Sequence, residues 1–233
     1  MVLGGLQKNS LIDYPGKVAC VLFLSGCNFD CPYCHNPELA TGCADCPAFF
    51  KEKENLFDFL KQRRGFLDGV VISGGEPTLQ KDLADLCAAL KEMDYPVKID
   101  TNGSRPAVLQ SLIDQGLVDY IAMDIKTDPF RYAPLIGRDL DPRHILESIG
   151  IIRGSSLPHE FRTTCVRPLV DDKTIETIAM LIQGADLYAL QQFQDASVLH
   201  PEFFQGGDCR FTDEDLERFQ RIAGRWVKRC VVR

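Results

Sequence analysis

Three cysteines near the start of the chain have a spacing that suits one iron–sulfur cluster. Cys27, Cys31 and Cys34 form a C-x3-C-x2-C motif, and cysteine thiolates are the usual ligands of such clusters. Because a fully ligated cubane cluster takes four cysteines, three cysteines from one loop would leave one iron open to bind a substrate. A zinc or disulfide site is the alternative, but zinc loops more often use paired C-x2-C units. The spacing therefore favours an iron–sulfur cluster with one open iron.

The composition indicates a globular protein of moderate size and acidic charge. The chain has 233 residues, of which 45% are hydrophobic, and we expect one domain over residues 1–233. Its core is expected over residues 15–193, with an N-terminal extension and a C-terminal helical tail. The net charge of −7 argues against a nucleic-acid partner, because nucleic-acid-binding surfaces are usually basic.

The cysteine content and the sequence of the N-terminus indicate a reducing compartment. The chain has ten cysteines. It shows no apolar run long enough to cross a membrane, and residues 1–14 do not have the pattern of a signal peptide. In such a chain, cysteines are expected to be metal ligands or reduced buried thiols. We therefore expect a cytoplasmic protein, and the open iron implies use at low oxygen.

Short apolar runs alternate with segments of helical spacing along most of the chain. Six runs predict β-strands, at residues 18–24, 70–72, 97–99, 120–123, 161–166 and 187–190. Helices are predicted after these strands, at residues 48–66, 83–90, 106–115, 144–153 and 173–182. A capping box that starts at Thr212 opens a last helix, on which Leu216, Phe219, Ile222 and Trp226 form one apolar stripe.

Six consecutive β–α units predict an α/β fold with a parallel sheet and right-handed crossovers. Because six units are two short of a closed eight-fold barrel, we predict an open, partial (βα)6 barrel. In barrels of this kind the active site lies at the C-terminal ends of the strands. The polar motifs of this chain follow the predicted strands at those ends, so they are the candidate site.

Two of these motifs suit positively charged partners: the first suits an ammonium group and the second a cation. Gly74 and Gly75 allow a close backbone approach, and the Glu76 carboxylate is a suitable acceptor for an ammonium group. Asp100 and Asp124 end neighbouring strands, where two carboxylates repel each other unless a cation lies between them. The alternatives are an ordinary turn at the glycines and helix caps at the aspartates.

The cysteine motif, with an aromatic residue before its last cysteine, resembles the signature of the radical S-adenosylmethionine (SAM) enzymes. The resemblance implies a partial barrel of the radical SAM type that holds a 4Fe-4S cluster on Cys27, Cys31 and Cys34. It also implies that Gly74, Gly75 and Glu76 hold the amino group of SAM. Tyr33 and His35 would flank the adenine, although as isolated aromatic residues they would more often be packing residues.

The chain is further similar to the glycyl-radical-enzyme activases. In that family the positions that match Asp100, Thr101 and Asp124 form a monovalent-cation site, and the position that matches Lys126 contacts the SAM carboxylate. Residues 4–193 contain the similarity. The stretches that resemble the anaerobic ribonucleoside-triphosphate reductase activating proteins are residues 9–39, 60–80 and 190–193.

This resemblance implies a reaction in which flavodoxin or ferredoxin reduces the cluster and SAM is cleaved to a 5′-deoxyadenosyl radical. The radical then takes a hydrogen atom from a glycine of a partner enzyme, most simply an anaerobic ribonucleotide reductase. No side chain is expected to act as a catalytic acid or base, because the cofactors supply the chemistry. Alternatives are an activase of a pyruvate formate-lyase-like enzyme and a radical SAM enzyme with a small-molecule substrate. A non-catalytic iron–sulfur electron carrier and a zinc-stabilised interaction protein are alternatives of a different class.

An additional cysteine pair follows the cysteine motif. Cys43 and Cys46 form a C-x2-C unit, which often binds zinc when a second pair completes the site. Cys209 and Cys230 are candidates to complete it. A redox-sensitive pair is the other interpretation, and both stay open here.

Overall fold

The computed structural model describes residues 2–42, 53–137, 140–194, 198–204 and 208–233. Within these ranges the chain alternates between strands and helices. The strands are β1 (Leu3–Ser10), β2 (Ala19–Leu24), β3 (Gly69–Gly74), β4 (Val97–Thr101), β5 (Tyr120–Asp124), β6 (His159–Cys165), β7 (Tyr188–Gln192) and β8 (Cys230–Val232).

Helices fill most of the connections. The α-helices are α1 (Pro37–Thr41), α2 (Lys53–Gln62), α3 (Leu83–Glu92), α4 (Pro106–Asp114), α5 (Tyr132–Leu135), α6 (Pro142–Gly154), α7 (Asp172–Leu181) and α8 (Asp213–Ala223). Short 3₁₀ helices span Pro77–Leu79, Pro129–Arg131 and Pro201–Phe204.

The eight strands follow one another in the sheet in the order of the chain, from β1 to β8. Strand β1 is antiparallel to β2, whereas β2, β3 and β4 pair in parallel, as do β6, β7 and β8. The six predicted strands correspond to β2–β7, so the predicted α/β class with a parallel sheet is confirmed. The two terminal strands, β1 and β8, were not predicted.

The described chain forms two compact units. The first unit comprises Met1–Asn28, Glu38–Thr101 and Ala107–Ile121, and the second comprises Phe29–Pro37, Asn102–Pro106 and Ala122–Arg233. We describe the two separately. The expected single domain over residues 1–233 remains a prediction.

The first unit has a core of apolar strands flanked by helices. Val21 and Leu22 of β2 and Val71 and Ile72 of β3 are all buried, as expected for a parallel sheet covered on both faces. Strand β2 pairs with β3 with Leu22 opposite Ile72. Helix α3 buries its predicted face, formed by Leu83, Leu86, Cys87 and Leu90.

Helix caps in the second unit follow the sequence patterns. Asp171 caps α7 by accepting a hydrogen bond from the Thr174 backbone amide. Thr212 and Asp215 form a reciprocal capping box at the start of α8. Leu216 and Phe219 are buried as predicted, but α8 ends at Ala223, so Trp226 lies beyond the helix rather than on its stripe.

In the described parts of the chain, no helix combines the length and apolar character that a membrane span requires.

Candidate functional site

The cysteine motif lies in the segment of residues 25–36, which joins β2 to α1 and is called the cysteine loop below. The Cys27 amide donates to the Ala40 carbonyl at 3.1 Å in the first unit. In the second unit the Cys34 amide donates to the Cys31 carbonyl at 3.0 Å and closes a tight turn. Cys31 is buried, whereas Cys27 and Cys34 are partly exposed.

Three cysteine thiolates are a suitable donor set for a cubane cluster with one open iron. Among the residues that the structure describes, no group of three or more cysteine, histidine, aspartate or glutamate side chains is arranged to hold a metal ion. The assignment of Cys27, Cys31 and Cys34 as ligands therefore remains a prediction from the motif.

Gly74 ends strand β3 in the first unit and Gly75 follows it, and the backbone of both lies against the end of β2. The Gly75 amide donates to the Leu24 carbonyl and the Glu76 amide to the Gly26 carbonyl, both at 2.8 Å. A Cβ atom on Gly75 would collide with the Gly26 backbone, and Gly74 has a φ of +112° that disfavours any side chain. Both glycines are thus required by backbone packing, whatever ligand their carbonyls hold.

Glu76 is completely buried in the first unit and caps the 3₁₀ helix Pro77–Leu79. Its Oε1 atom accepts hydrogen bonds from the Thr78 amide at 3.0 Å and the Thr78 hydroxyl at 2.5 Å. The Thr101 hydroxyl donates to the same atom at 2.8 Å. Two predicted site residues, Glu76 and Thr101, are therefore brought into direct contact.

Asp100 forms a buried ion pair at the end of β4. The Lys98 ammonium lies 2.5 Å from Asp100 Oδ1, and the Lys98 side chain is 1% exposed. The Ser73 hydroxyl donates to Asp100 Oδ2 at 3.0 Å. Both carboxylate oxygens of Asp100 are thus held by side chains of the first unit.

Asp124 and Lys126, the predicted residues after β5, form an ion-pair group with Arg162 in the second unit. Arg162 Nε donates to Asp124 Oδ1 at 2.6 Å, and Lys126 Nζ donates to Asp124 Oδ2 at 3.0 Å. Burial raises the pKa of Asp124, but Arg162 and Lys126 outweigh it and hold this pKa well below its usual range. Burial lowers the pKa of Lys126, but Asp124 raises it well above its usual range. Lys126 is therefore an ammonium at every physiological pH.

Tyr33 and His35 have different surroundings in the second unit. The Tyr33 hydroxyl is buried and has no hydrogen-bond partner among the described residues, and burial raises its pKa, an effect that Lys126 partly offsets. The His35 ring packs against Phe193, with ring centres 5.3 Å apart. Burial and the Lys126 charge lower the pKa of His35, so its imidazole is neutral at pH 7. The predicted adenine contacts of both residues remain predictions.

The second cysteine pair cannot be placed. Cys43 and Cys46 lie outside the described residues, and the suggested partners Cys209 and Cys230 are partly exposed cysteines of the second unit. A second metal site therefore remains a prediction.

Sequence reasoning missed the two basic residues that pair with the predicted aspartates. Lys98 lies two positions before Asp100 on the same strand, and residues two apart on a strand share a face. That spacing was a usable signal for the pair. Arg162 is 38 positions from Asp124, so no local pattern connects them.

The family model and the similar proteins indicate the same family. The model of the radical SAM superfamily matches residues 21–182. A Methanocaldococcus jannaschii protein that carries the name glycyl-radical enzyme activating enzyme is 37% identical over 238 residues, which cover 100% of this chain and 95% of that protein. A pyruvate formate-lyase-activating enzyme of Clostridium pasteurianum is 32% identical over 136 residues, 54% of each chain.

Solved structures support the fold. The structure of Streptococcus suis SuiB bound to the precursor peptide SuiA has a TM-score of 0.68 at 14% identity and covers 91% of this chain and 48% of SuiB. Methylornithine synthase has a TM-score of 0.63 at 14% identity and covers 91% of this chain and 63% of its own. The chain thus spans about half of SuiB, and the likeness shows the fold alone. It confirms the predicted fold class.

Proposed function

The chain belongs to the radical SAM superfamily, in the group of glycyl-radical enzyme activating enzymes, and we propose that Cys27, Cys31 and Cys34 hold its 4Fe-4S cluster. The main support is the 37% identity over the whole chain with a protein named for this activity. When bound, the cluster and SAM supply a 5′-deoxyadenosyl radical that abstracts a hydrogen atom from a glycine of a partner enzyme. No acid or base of the chain takes part.

The charges of the two units support the assigned SAM contacts. In the first unit, Glu76 and Asp100 supply buried carboxyl groups, and Asp100 is paired with Lys98. In the second unit, Lys126 and Arg162 carry two positive charges against the one negative charge of Asp124. The methionine part of SAM has an ammonium and a carboxylate, so Gly74, Gly75 and Glu76 suit the first group and Lys126 suits the second.

We propose an anaerobic ribonucleotide reductase as the partner. Support comes from the resemblance of residues 9–39, 60–80 and 190–193 to activating proteins of that enzyme. A pyruvate formate-lyase-like partner is the second candidate, because an activating enzyme of that kind is 32% identical over 54% of the chain. Flavodoxin or ferredoxin in a reducing cytoplasm would supply the electron.

The first test is SAM cleavage by the reconstituted protein. We expect protein that is loaded with iron and sulfide without oxygen, and then reduced with dithionite, to convert SAM to 5′-deoxyadenosine. The Cys31→Ala variant should lose both this activity and its iron. Cys87→Ala is the matched control, because Cys87 is completely buried on the apolar face of α3 and is not part of the cysteine motif. A well-formed cluster that never cleaves SAM would contradict the proposal.

The second test identifies the partner. The reduced protein is mixed with SAM and with either an anaerobic ribonucleotide reductase or a pyruvate formate-lyase, and the glycyl radical is measured by electron paramagnetic resonance. We expect a radical on the reductase. A radical on the lyase alone would select the second candidate.

A further inference from the structure

The two aspartates predicted to share a monovalent cation both have positively charged partners within the chain. We propose that Lys98 and Arg162 supply the positive charge for which a monovalent cation would otherwise be needed, so that SAM binding does not depend on such an ion. This inference rests on the proposed function, because it concerns the same SAM site.

Lys98 lies where a cation bound to Asp100 would have to be accommodated. Its ammonium contacts Asp100 Oδ1 at 2.5 Å, and its side chain is almost completely buried. The second carboxylate oxygen accepts the Ser73 hydroxyl at 3.0 Å. A metal ion on this carboxylate would therefore be added next to a buried like charge, which repels it.

The Lys98 ammonium is held in place by a second contact. It lies 5.8 Å from the centre of the Tyr120 ring, within the range of a cation–π interaction. A buried ammonium is costly unless it is paired and hydrogen-bonded. The surroundings of Lys98 provide an anion and an aromatic face, and thus suit an ammonium group.

Asp124 is compensated in the same way in the second unit. Arg162 contacts one of its oxygens at 2.6 Å and Lys126 contacts the other at 3.0 Å. Both carboxylate oxygens of Asp124 are therefore already occupied by basic side chains, and an additional cation would lie next to two like charges. The two basic side chains instead suit an anion, such as the carboxylate that Lys126 is proposed to bind.

Thr101, the third predicted ligand, also has a partner in the chain. Its hydroxyl donates to Glu76 Oε1 at 2.8 Å. The Thr101 hydroxyl thus uses its proton on Glu76, and the two carboxylates among the predicted cation ligands are each paired with a basic side chain of their own unit.

The test measures SAM binding and thermal unfolding in chlorides of potassium, sodium and tetramethylammonium at equal ionic strength. For the reconstituted protein we expect the dissociation constant of SAM to change by less than about twofold among the three salts. The melting temperature should also be the same in all three. A loss of SAM affinity of about tenfold or more in tetramethylammonium would overturn the proposal.

Removal of the Lys98 charge should make SAM binding depend on sodium or potassium. For Lys98→Met we expect SAM affinity to fall about tenfold or more in tetramethylammonium and to recover in sodium or potassium. Its melting temperature should rise in the same two salts. The Lys91→Met variant is the matched control, because Lys91 forms an ion pair with Asp119 at 2.6 Å elsewhere in the first unit, and it should remain insensitive. If Lys98→Met folds and remains insensitive too, the proposal is wrong.

Two further measurements keep the outcomes distinct. Lys98→Arg retains the charge and should bind SAM independently of the salt. It replaces Lys98→Met if that variant does not fold. A requirement for sodium or potassium in Lys98→Arg would contradict the role of the charge. If SAM does not bind in any salt, the proposed function fails. In that case the melting temperatures in the three salts still test whether Lys98 replaces a bound cation, because they are measured without SAM.

Discussion

Glu76 combines a structural role with a proposed binding role in one completely buried carboxylate. Three donors, one from the backbone and two from hydroxyl groups, converge on its Oε1 atom. Removing an acceptor leaves buried donors unsatisfied, and each such donor costs about 1–3 kcal/mol. The effects of the two roles can be separated by the choice of substitution.

We expect Glu76→Ala to lower the free energy of unfolding by about 3 kcal/mol or more, because three donors lose their acceptor. Glu76→Gln retains a carbonyl oxygen and should cost about 1 kcal/mol. Both values are measured by urea unfolding of the protein without SAM. Glu76→Gln should nevertheless weaken SAM binding, since it removes the negative charge. Equal destabilisation by both substitutions would contradict the capping role.

Asp124 gives a prediction about acid stability. Its pKa in the folded protein lies below its usual value of 3.8 because Arg162 and Lys126 outweigh burial. The carboxylate therefore contributes stability that is complete well above the usual pKa and is lost as the pH falls through and below it. We expect the melting temperature of Asp124→Asn to be lower than that of the wild type at pH 7. The difference should shrink as the pH falls from about 5 to 3; a constant difference would contradict the ion pairing.

At the scale of elements, residues 198–204 are attached to the cysteine loop within the second unit. The Leu199 amide donates to the Cys34 carbonyl and the His200 amide to the Pro32 carbonyl, both at 3.1 Å. The His200 side chain contacts Asp30 at 2.7 Å through Nε2 and Glu202 at 3.0 Å through Nδ1. Both ring nitrogens can donate only when the imidazole is protonated.

The His200 contacts should stabilise the protein more at low pH than at high pH. The hydrogen bond to Asp30 is the main cause that raises the pKa of His200 above its usual value of 6.5. Its contribution is therefore complete below pH 6.5 and is lost as the pH rises through the higher, folded-state pKa. We expect His200→Gln to lower the melting temperature by about 1–3 °C at pH 6 and by less at pH 8.5. Calorimetry at both values checks this, and an effect that grows with pH would refute it.

The core strands were predictable from the sequence, because burial on both faces leaves short runs rich in apolar residues. All six runs correspond to strands β2–β7. Strand β1 was missed because Leu3–Ser10 contains two glycines and exposed polar residues, and it is a strand through its pairing with β2. Strand β8 has three residues, too few for a periodic pattern.

The candidate site was predictable only where its residues form contiguous motifs. Glycines, cysteines and aspartates at strand ends are visible in the sequence, whereas Arg162 reaches Asp124 from 38 positions away. Contacts of this kind depend on the register of the sheet, which a single sequence does not encode locally. The Arg162–Asp124 pair therefore appears only in the structure. Together with the Lys98–Asp100 pair, it alters the expectation of a bound cation.

At the scale of the whole molecule, the predicted cofactor residues are distributed over both compact units. Cys27, Glu76 and Asp100 belong to the first, and Cys34 and Lys126 belong to the second. A ligand that binds the folded chain and not the unfolded one stabilises it by mass action. Binding of the cluster should therefore raise the melting temperature of the whole chain.

We expect reconstitution with iron and sulfide to raise the melting temperature by about 5–10 °C, the shift that saturation at about 100 times the dissociation constant produces in a chain of this size. Chelation of the iron should reverse the rise. Anaerobic scanning calorimetry measures both, with Cys31→Ala as the variant that should show no shift. An equal rise in Cys31→Ala would mean that the metal binds elsewhere.

The packing of Gly74 and Gly75 against the end of β2 affects how relatives of this chain are to be recognised. A descendant that had lost the SAM reaction would still need both glycines, because a side chain at either position would be pushed into the backbone or forced into a strained conformation. The glycine pair is therefore a mark of shared ancestry. The backbone conformation does not require cysteine or lysine at the positions of the motif cysteines and Lys126. Their replacement in a relative would therefore indicate that the reaction has been lost.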